Sequence, residues 1–136
     1  MNRDSLYATE STKDNNQFVK DLTAIATRKG FTVHNRETMD MARSFKSHGI
    51  DTREDFDLHM IQVCKPEKAA KSLQANPERA VLMPKFIMTF SRNGRTQIRF
   101  LHYDAETIRA IVDDDDFPAA LAGTYETIIS MIEEAR

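Results

Sequence analysis

Cys64, Lys65 and Pro66 stand in direct succession, and Pro84 and Lys85 follow after a short Ala/Leu-rich stretch. Cys64 is the chain's one cysteine, so its chemistry is that of a single thiol and no internal disulfide can form. Apolar residues up to Val63 read as a strand and Pro66 suits a first helical position, which puts the thiol where a strand hands over to a helix. Unpaired N–H groups and the helix dipole favour an anion there, so a thiolate could form. The Lys65 ammonium would act the same way if it lay beside the sulfur. The opposing reading is as concrete: an unpaired cysteine is among the residues most often buried and packs as a small hydrophobe. Lys65, Lys68, Lys71 and Arg79 could attract an anion around the same helix, or form an ordinary solvated face. The candidate ligand-binding residues are therefore Cys64, Lys65, Pro66, Pro84, Lys85 and His102, with Cys64 the one candidate catalytic thiol.

Other chemistry is weakly supported. His34, His48, His59 and His102 lack the helical spacing of paired metal ligands, so no metal site is expected unless the fold makes distant residues converge. His59 falls on the opposite strand face from Cys64, while His102 shares a face with Ile98 and Phe100, at the core edge or in a pocket at the sheet end. The acidic run at 113–116 lacks the spaced oxygens and the glycine of a calcium loop. It reads as a solvated loop in which Asp116 caps the helix that begins at Phe117-Pro118. Ser/His/Asp signatures are absent, and four scattered glycines do not build a phosphate loop.

The elements that must hold these groups follow from periodicity. Residues 1–5 are polar and expected to be loose, and residues 6–11 form a short first strand. Phe18, Leu22, Ile25 and Ala26 recur at helical spacing before the Lys29-Gly30 stop, and Phe31-Thr32-Val33 returns as a strand. A second helix buries Met41, Ala42 and Phe45 and ends at His48-Gly49. Residues 56–64 form a central strand, with Phe56, Leu58 and Met60 on one face and Ile61 and Val63 on the other. The helix after Pro66 carries an apolar stripe of Ala69, Ala70 and Leu73 and closes before Asn76-Pro77. Asn93-Gly94 then joins two alternating strands as a hairpin. Asp104 caps a helix that buries Ile108, Ile111 and Val112, and a last helix places Leu121, Tyr125, Ile128, Ile129 and Ile132 on one side. The class expected is α+β, one domain over 1–136, with a largely antiparallel sheet of about five strands packed against helices.

Size and charge narrow the partners. The 136 residues suit a single core, and the net charge of −2, with both signs interspersed, gives no broad positive field for nucleic acid. No apolar run approaches the ~20 residues that span a bilayer, so no membrane partner is expected. A lone cysteine without an export leader points to a soluble protein of the cytoplasm.

On the helix into Lys29-Gly30-Phe31-Thr32-Val33, the strand into Val63-Cys64-Lys65-Pro66, and Leu82-Met83-Pro84 ahead of the Asn93-Gly94 hairpin, the chain resembles the domain of unknown function 302 family. These are small α+β bacterial and archaeal proteins, and the resemblance is clearest over 16–103. In that family an asparagine commonly precedes the proline after the cysteine, and some members carry a second cysteine after the later proline. Here Lys65 and Lys85 occupy those places, so a helix cap and a dithiol are both lost. The resemblance implies a homodimer and a link to sulfur or redox metabolism, and it supplies no reaction and no cofactor. Three readings result: a binding or accessory protein that holds a small anionic or thiol ligand near Cys64 and Pro84, a single-thiol redox or sulfur-transfer protein using Cys64, and a structural dimerisation module.

Overall fold

The computed structural model describes residues 3–136. Residues 1 and 2 of the opening stretch expected to be loose lie outside the described residues, and Arg3–Ser5 form a 3-10 turn. Five strands, β1 (Leu6–Ser11), β2 (Thr32–Val33), β3 (His59–Cys64), β4 (Phe86–Arg92) and β5 (Arg95–Leu101), form one sheet in the order β1-β5-β4-β3-β2. Every neighbouring pair is antiparallel. Asn93 and Gly94 both have positive φ, 55° and 74°, which matches the twist of a two-residue hairpin between β4 and β5.

The strand alternation sorts the sheet into two different faces. Ile61, Val63, Ile87, Ile98 and Phe100 are buried in one core with Phe18, Leu22, Ile108, Ile128, Met131 and Ile132 from the helices. On the other face Met60, Phe86, Met88 and Phe90 are only half-buried, while Leu6 and Leu101 are 44% and 37% exposed. Helix α1 (Asn15–Arg28) starts where the Asp14 side chain accepts the Gln17 N–H at 2.8 Å, and it ends at Gly30, whose φ of 83° lets the Phe31 N–H turn back to the Ala26 carbonyl. Helices α4 (Ala105–Ile111) and α5 (Phe117–Ala135) complete the layer, α5 packing against both α1 and α4. Inside it, Thr89 donates to Asn15 Oδ1 at 2.7 Å, so two buried polar side chains satisfy each other.

Five expectations change. β3 begins at His59 rather than near Phe56, because Asp57 is already engaged: its carbonyl accepts from Asn15 Nδ2 at 2.7 Å and its carboxylate from the Ser91 N–H at 2.8 Å. β3 is an interior strand, yet its outer neighbour β2 has two residues, and β4 occupies the middle. Helix α2 (Met41–Ser47) fully buries nothing, and Phe45 packs on Phe56 at 6.2 Å between ring centres, away from the main core. Ile111 is 48% exposed because α4 ends there, and in α3 (Pro66–Ala75) Ala70 faces solvent while Ala69 and Leu73 are half-buried.

Candidate functional site

Cys64 ends β3 opposite Thr32, whose hydroxyl donates to the Cys64 carbonyl at 3.2 Å. The thiol residue is half-buried rather than sealed in the core. It lines a cleft of about 50 Å³ between α3 and α5, enough for a few waters or a compound of a few heavy atoms. Phe31, Met83, Phe117 and Leu121 supply apolar wall, and the cations Lys65, Lys68 and Lys85 also line the cleft.

Each lysine is held differently. Lys65 is the N-cap residue of α3 and makes no capping bond, and its ammonium lies over the Phe31 ring, 4.8 Å from the centroid. Lys68 donates from Nζ to Thr124 Oγ1 at 3.0 Å and so joins α3 to α5 across the cleft. Lys85 Nζ donates to the Met83 carbonyl at 2.8 Å and sits 3.9 Å from the Met83 thioether. Among the described residues no carboxylate pairs with Lys85, and burial pushes its amine below the ordinary lysine value. Negative charge at Cys64 acts in the other direction, and Lys68 lowers it further.

The cleft wall is fixed by a pair that sequence reasoning missed. Arg79 grips Asp114 through Nε–Oδ2 at 2.7 Å and Nη2–Oδ1 at 3.0 Å, with the two side chains 14% and 6% exposed. Asn76 donates to Asp114 Oδ2 at 2.8 Å, and Asp114 Oδ1 also accepts the N–H groups of Asp116 and Phe117. Arg79, then Asn76 and the Phe117 N–H, hold the Asp114 carboxyl well below the usual carboxylate range. Asp114 thus caps the start of α5, not Asp116, and it is nearly buried rather than solvated as the acidic run suggested. The available signal was a single arginine after Asn76-Pro77 and four acids before Phe117-Pro118, with nothing local to pair them.

The fold therefore brings Cys64, Lys65 and Lys85 together around one cleft and leaves the other candidates apart. Pro66 is exposed at the first turn of α3. Pro84 lines a second hollow of about 280 Å³ with Met60, Val81, Phe86 and Leu101, at the margin of the half-open sheet face. His102 stacks on Phe100 at 6.3 Å and meets the edge of Tyr125 at 6.2 Å, outside the Cys64 cleft. Burial pushes the Tyr125 hydroxyl up to about 12. Lys71 does not line the cleft, and Arg79 is committed to Asp114. His59 is buried on the helix-facing side of β3, with Nδ1 3.0 Å from the Asp57 carbonyl, whereas Cys64 belongs to the alternate set of β3 positions. Among the described residues no three His, Cys, Asp or Glu side chains gather as metal ligands would.

One antiparallel sheet, helices layered on one face and a cationic cleft at the β3–α3 junction define an α+β protein with a small pocket at a strand end. The chain belongs to the domain of unknown function family DUF302, whose model matches residues 7–135. That span is wider than the 16–103 over which the motifs are clearest. The crystal structure of an uncharacterized conserved DUF302 protein from Bacillus stearothermophilus has the same fold, with a TM-score of 0.76 and 17% identity over 97% of this chain and 98% of that one. No curated protein matches the chain in sequence. No helix among the described residues is long and apolar enough to cross a membrane.

Proposed function

We propose that this protein is a small binding or accessory protein whose site is the cleft between α3 and α5, and that its ligand is a small anion. The observation that carries the reading is the lining itself: Lys65, Lys68 and Lys85 contribute three cations, and no Asp or Glu lies among the lining residues. In a chain of net charge −2 such a one-signed wall concentrates anions locally. A desolvated ammonium without a carboxylate partner gains most from an anion that enters the cleft. Thermal-shift titrations at fixed ionic strength with phosphate, sulfate, small carboxylates, thiols, haem and divalent metals test the reading. Stabilisation by small anions that disappears in Lys85→Met supports it, and no stabilisation by any small anion overturns it.

A second reading, single-thiol redox or sulfur transfer, is favoured by one fact: Cys64 is half-exposed in the same cleft as Lys85. Its measurement is the alkylation rate of Cys64 against pH in wild type and Lys85→Met, and superimposable profiles count against a thiol activated by the cleft. A cytoplasmic location fits both readings, because a reducing compartment keeps the thiol free. The homodimer is also part of the proposal. Met60, Phe86, Met88, Leu6 and Leu101 leave an apolar sheet face that a second copy would cover, and sedimentation at micromolar concentration decides between monomer and dimer.

A further inference from the structure

We propose that Lys85 is a carbonyl-capturing residue, whose amine forms a Schiff base with a small aldehyde acid or keto acid that enters the Cys64 cleft. The proposal rests on the reading of the cleft as an anion site and names the class of anion. Lys85 differs from its two neighbours in what holds it. Lys65 lies over Phe31, and the exposed Lys68 is bonded to Thr124, where either side chain can attract a carboxylate. Lys85 has a carbonyl and a thioether of Met83 for partners, with Phe117 and Leu121 in the facing wall.

Two consequences follow from that setting. One N–H directed to the Met83 carbonyl at 2.8 Å orients the amine without consuming the lone pair of its neutral form. Poor solvation favours that neutral form, and the lowered Lys85 pKa agrees with the geometry. The titratable groups around it are Cys64 at the end of β3, Lys65 and Lys68 on α3, and, in the second hollow that Lys85 also borders, Tyr103 and the α5 residue Tyr125. Lys68 favours the free amine, and negative charge on Cys64 disfavours it.

The step needs no oxidant or reductant. The Nζ lone pair attacks the carbonyl carbon, the C=O π pair moves to oxygen, and a proton from nitrogen passes to that oxygen to give a carbinolamine. Protonation of the hydroxyl then lets water leave as the C=N bond forms, and addition of water reverses the sequence. A cleft of about 50 Å³ suits a two- or three-carbon acid.

The test uses the full chain with glyoxylate and sodium cyanoborohydride at neutral pH, read by intact mass and peptide mapping in wild type, Lys85→Met and Lys85→Arg. The expected result is a first adduct on Lys85, formed on the order of tenfold faster than on any other lysine. Both variants lose that adduct, and Lys85→Arg keeps the thermal stabilisation by unreactive anions such as phosphate. Labelling spread evenly over the lysines, or an unmodified Lys85, overturns the proposal. If phosphate still raises Tm in that case, the anion site stands and the Schiff base alone falls. If phosphate neither raises Tm nor slows labelling, the anion reading falls, whether or not Lys85 reacts.

Discussion

Replacing Lys85 by Met isolates the energetics of the cleft, because the two side chains have similar volume and differ chiefly in the buried charge. In the wild type the ammonium has left water for one carbonyl bond of 2.8 Å and a thioether contact, without a carboxylate partner among the described residues. Apolar replacement of buried charges ranges from neutral to a gain of about 1–4 kcal/mol, and the partial exposure of Lys85 selects the low end, about 1 kcal/mol. With an unfolding entropy near 2.1 cal/mol/K per residue, 136 residues give roughly 0.29 kcal/mol/K, so the gain corresponds to about 3–4 °C in Tm. The pH dependence fixes the cause. Below the lowered folded-state pKa, Lys85 is charged in both states and the full cost of burial is present. Between that value and the ordinary 10.5 the unfolded chain binds more protons, so wild-type stability attributable to Lys85 rises with pH. Above 10.5 both states are neutral at this position and the cost is gone. Differential scanning fluorimetry or calorimetry from pH 7 to 10.5 should therefore show the Lys85→Met advantage largest at neutral pH and shrinking as pH climbs. A variant less stable than wild type by more than about 2 kcal/mol at pH 7, or a Tm difference that stays constant with pH, would refute the reasoning.

Three other substitutions probe the frame around the cleft. Asp114→Asn should lower Tm at neutral pH and flatten the acid limb of the stability curve. The wild-type carboxylate contributes its full stabilisation above its ordinary value of 3.8 and loses it as pH falls through the depressed folded-state pKa. Ile87→Ala, at a fully buried β4 position, should cost about 2–5 kcal/mol by chemical denaturation while leaving the fold readable by circular dichroism. Gly94→Ala meets no neighbouring atom but must adopt φ of 74°, so a loss of about 1 kcal/mol measured by urea midpoint is expected from backbone strain alone.

Local signals identified much of the frame. Asp104 caps α4, Gly30 ends α1, Pro66 opens α3, and Asn93-Gly94 turns the hairpin. Each depends on residues a few positions apart, which periodicity and turn chemistry report directly. The same reading overextended β3 and buried too much of α2, α3 and α4. An apolar residue signals what can be buried, while burial itself requires a facing layer, and α2 has none comparable to the layer over the helix-covered sheet face.

The amino-acid sequence by itself determined that a lone thiol stands at a strand-to-helix junction, next to a proline start and among cations. Only the tertiary structure decided which of those cations matter. It turned Arg79 onto Asp114, laid Lys65 on Phe31, bonded Lys68 to Thr124, left His102 with Phe100 and Tyr125, and brought Lys85 from the start of β4 to the cleft that Cys64 lines. These pairings join residues from separate elements, such as Arg79 and Asp114, whose approach is set by sheet register and helix docking rather than by local preference. A side chain's chemistry is written in its residue type, but its solvation and its partners exist only once the sheet and helices have closed around it.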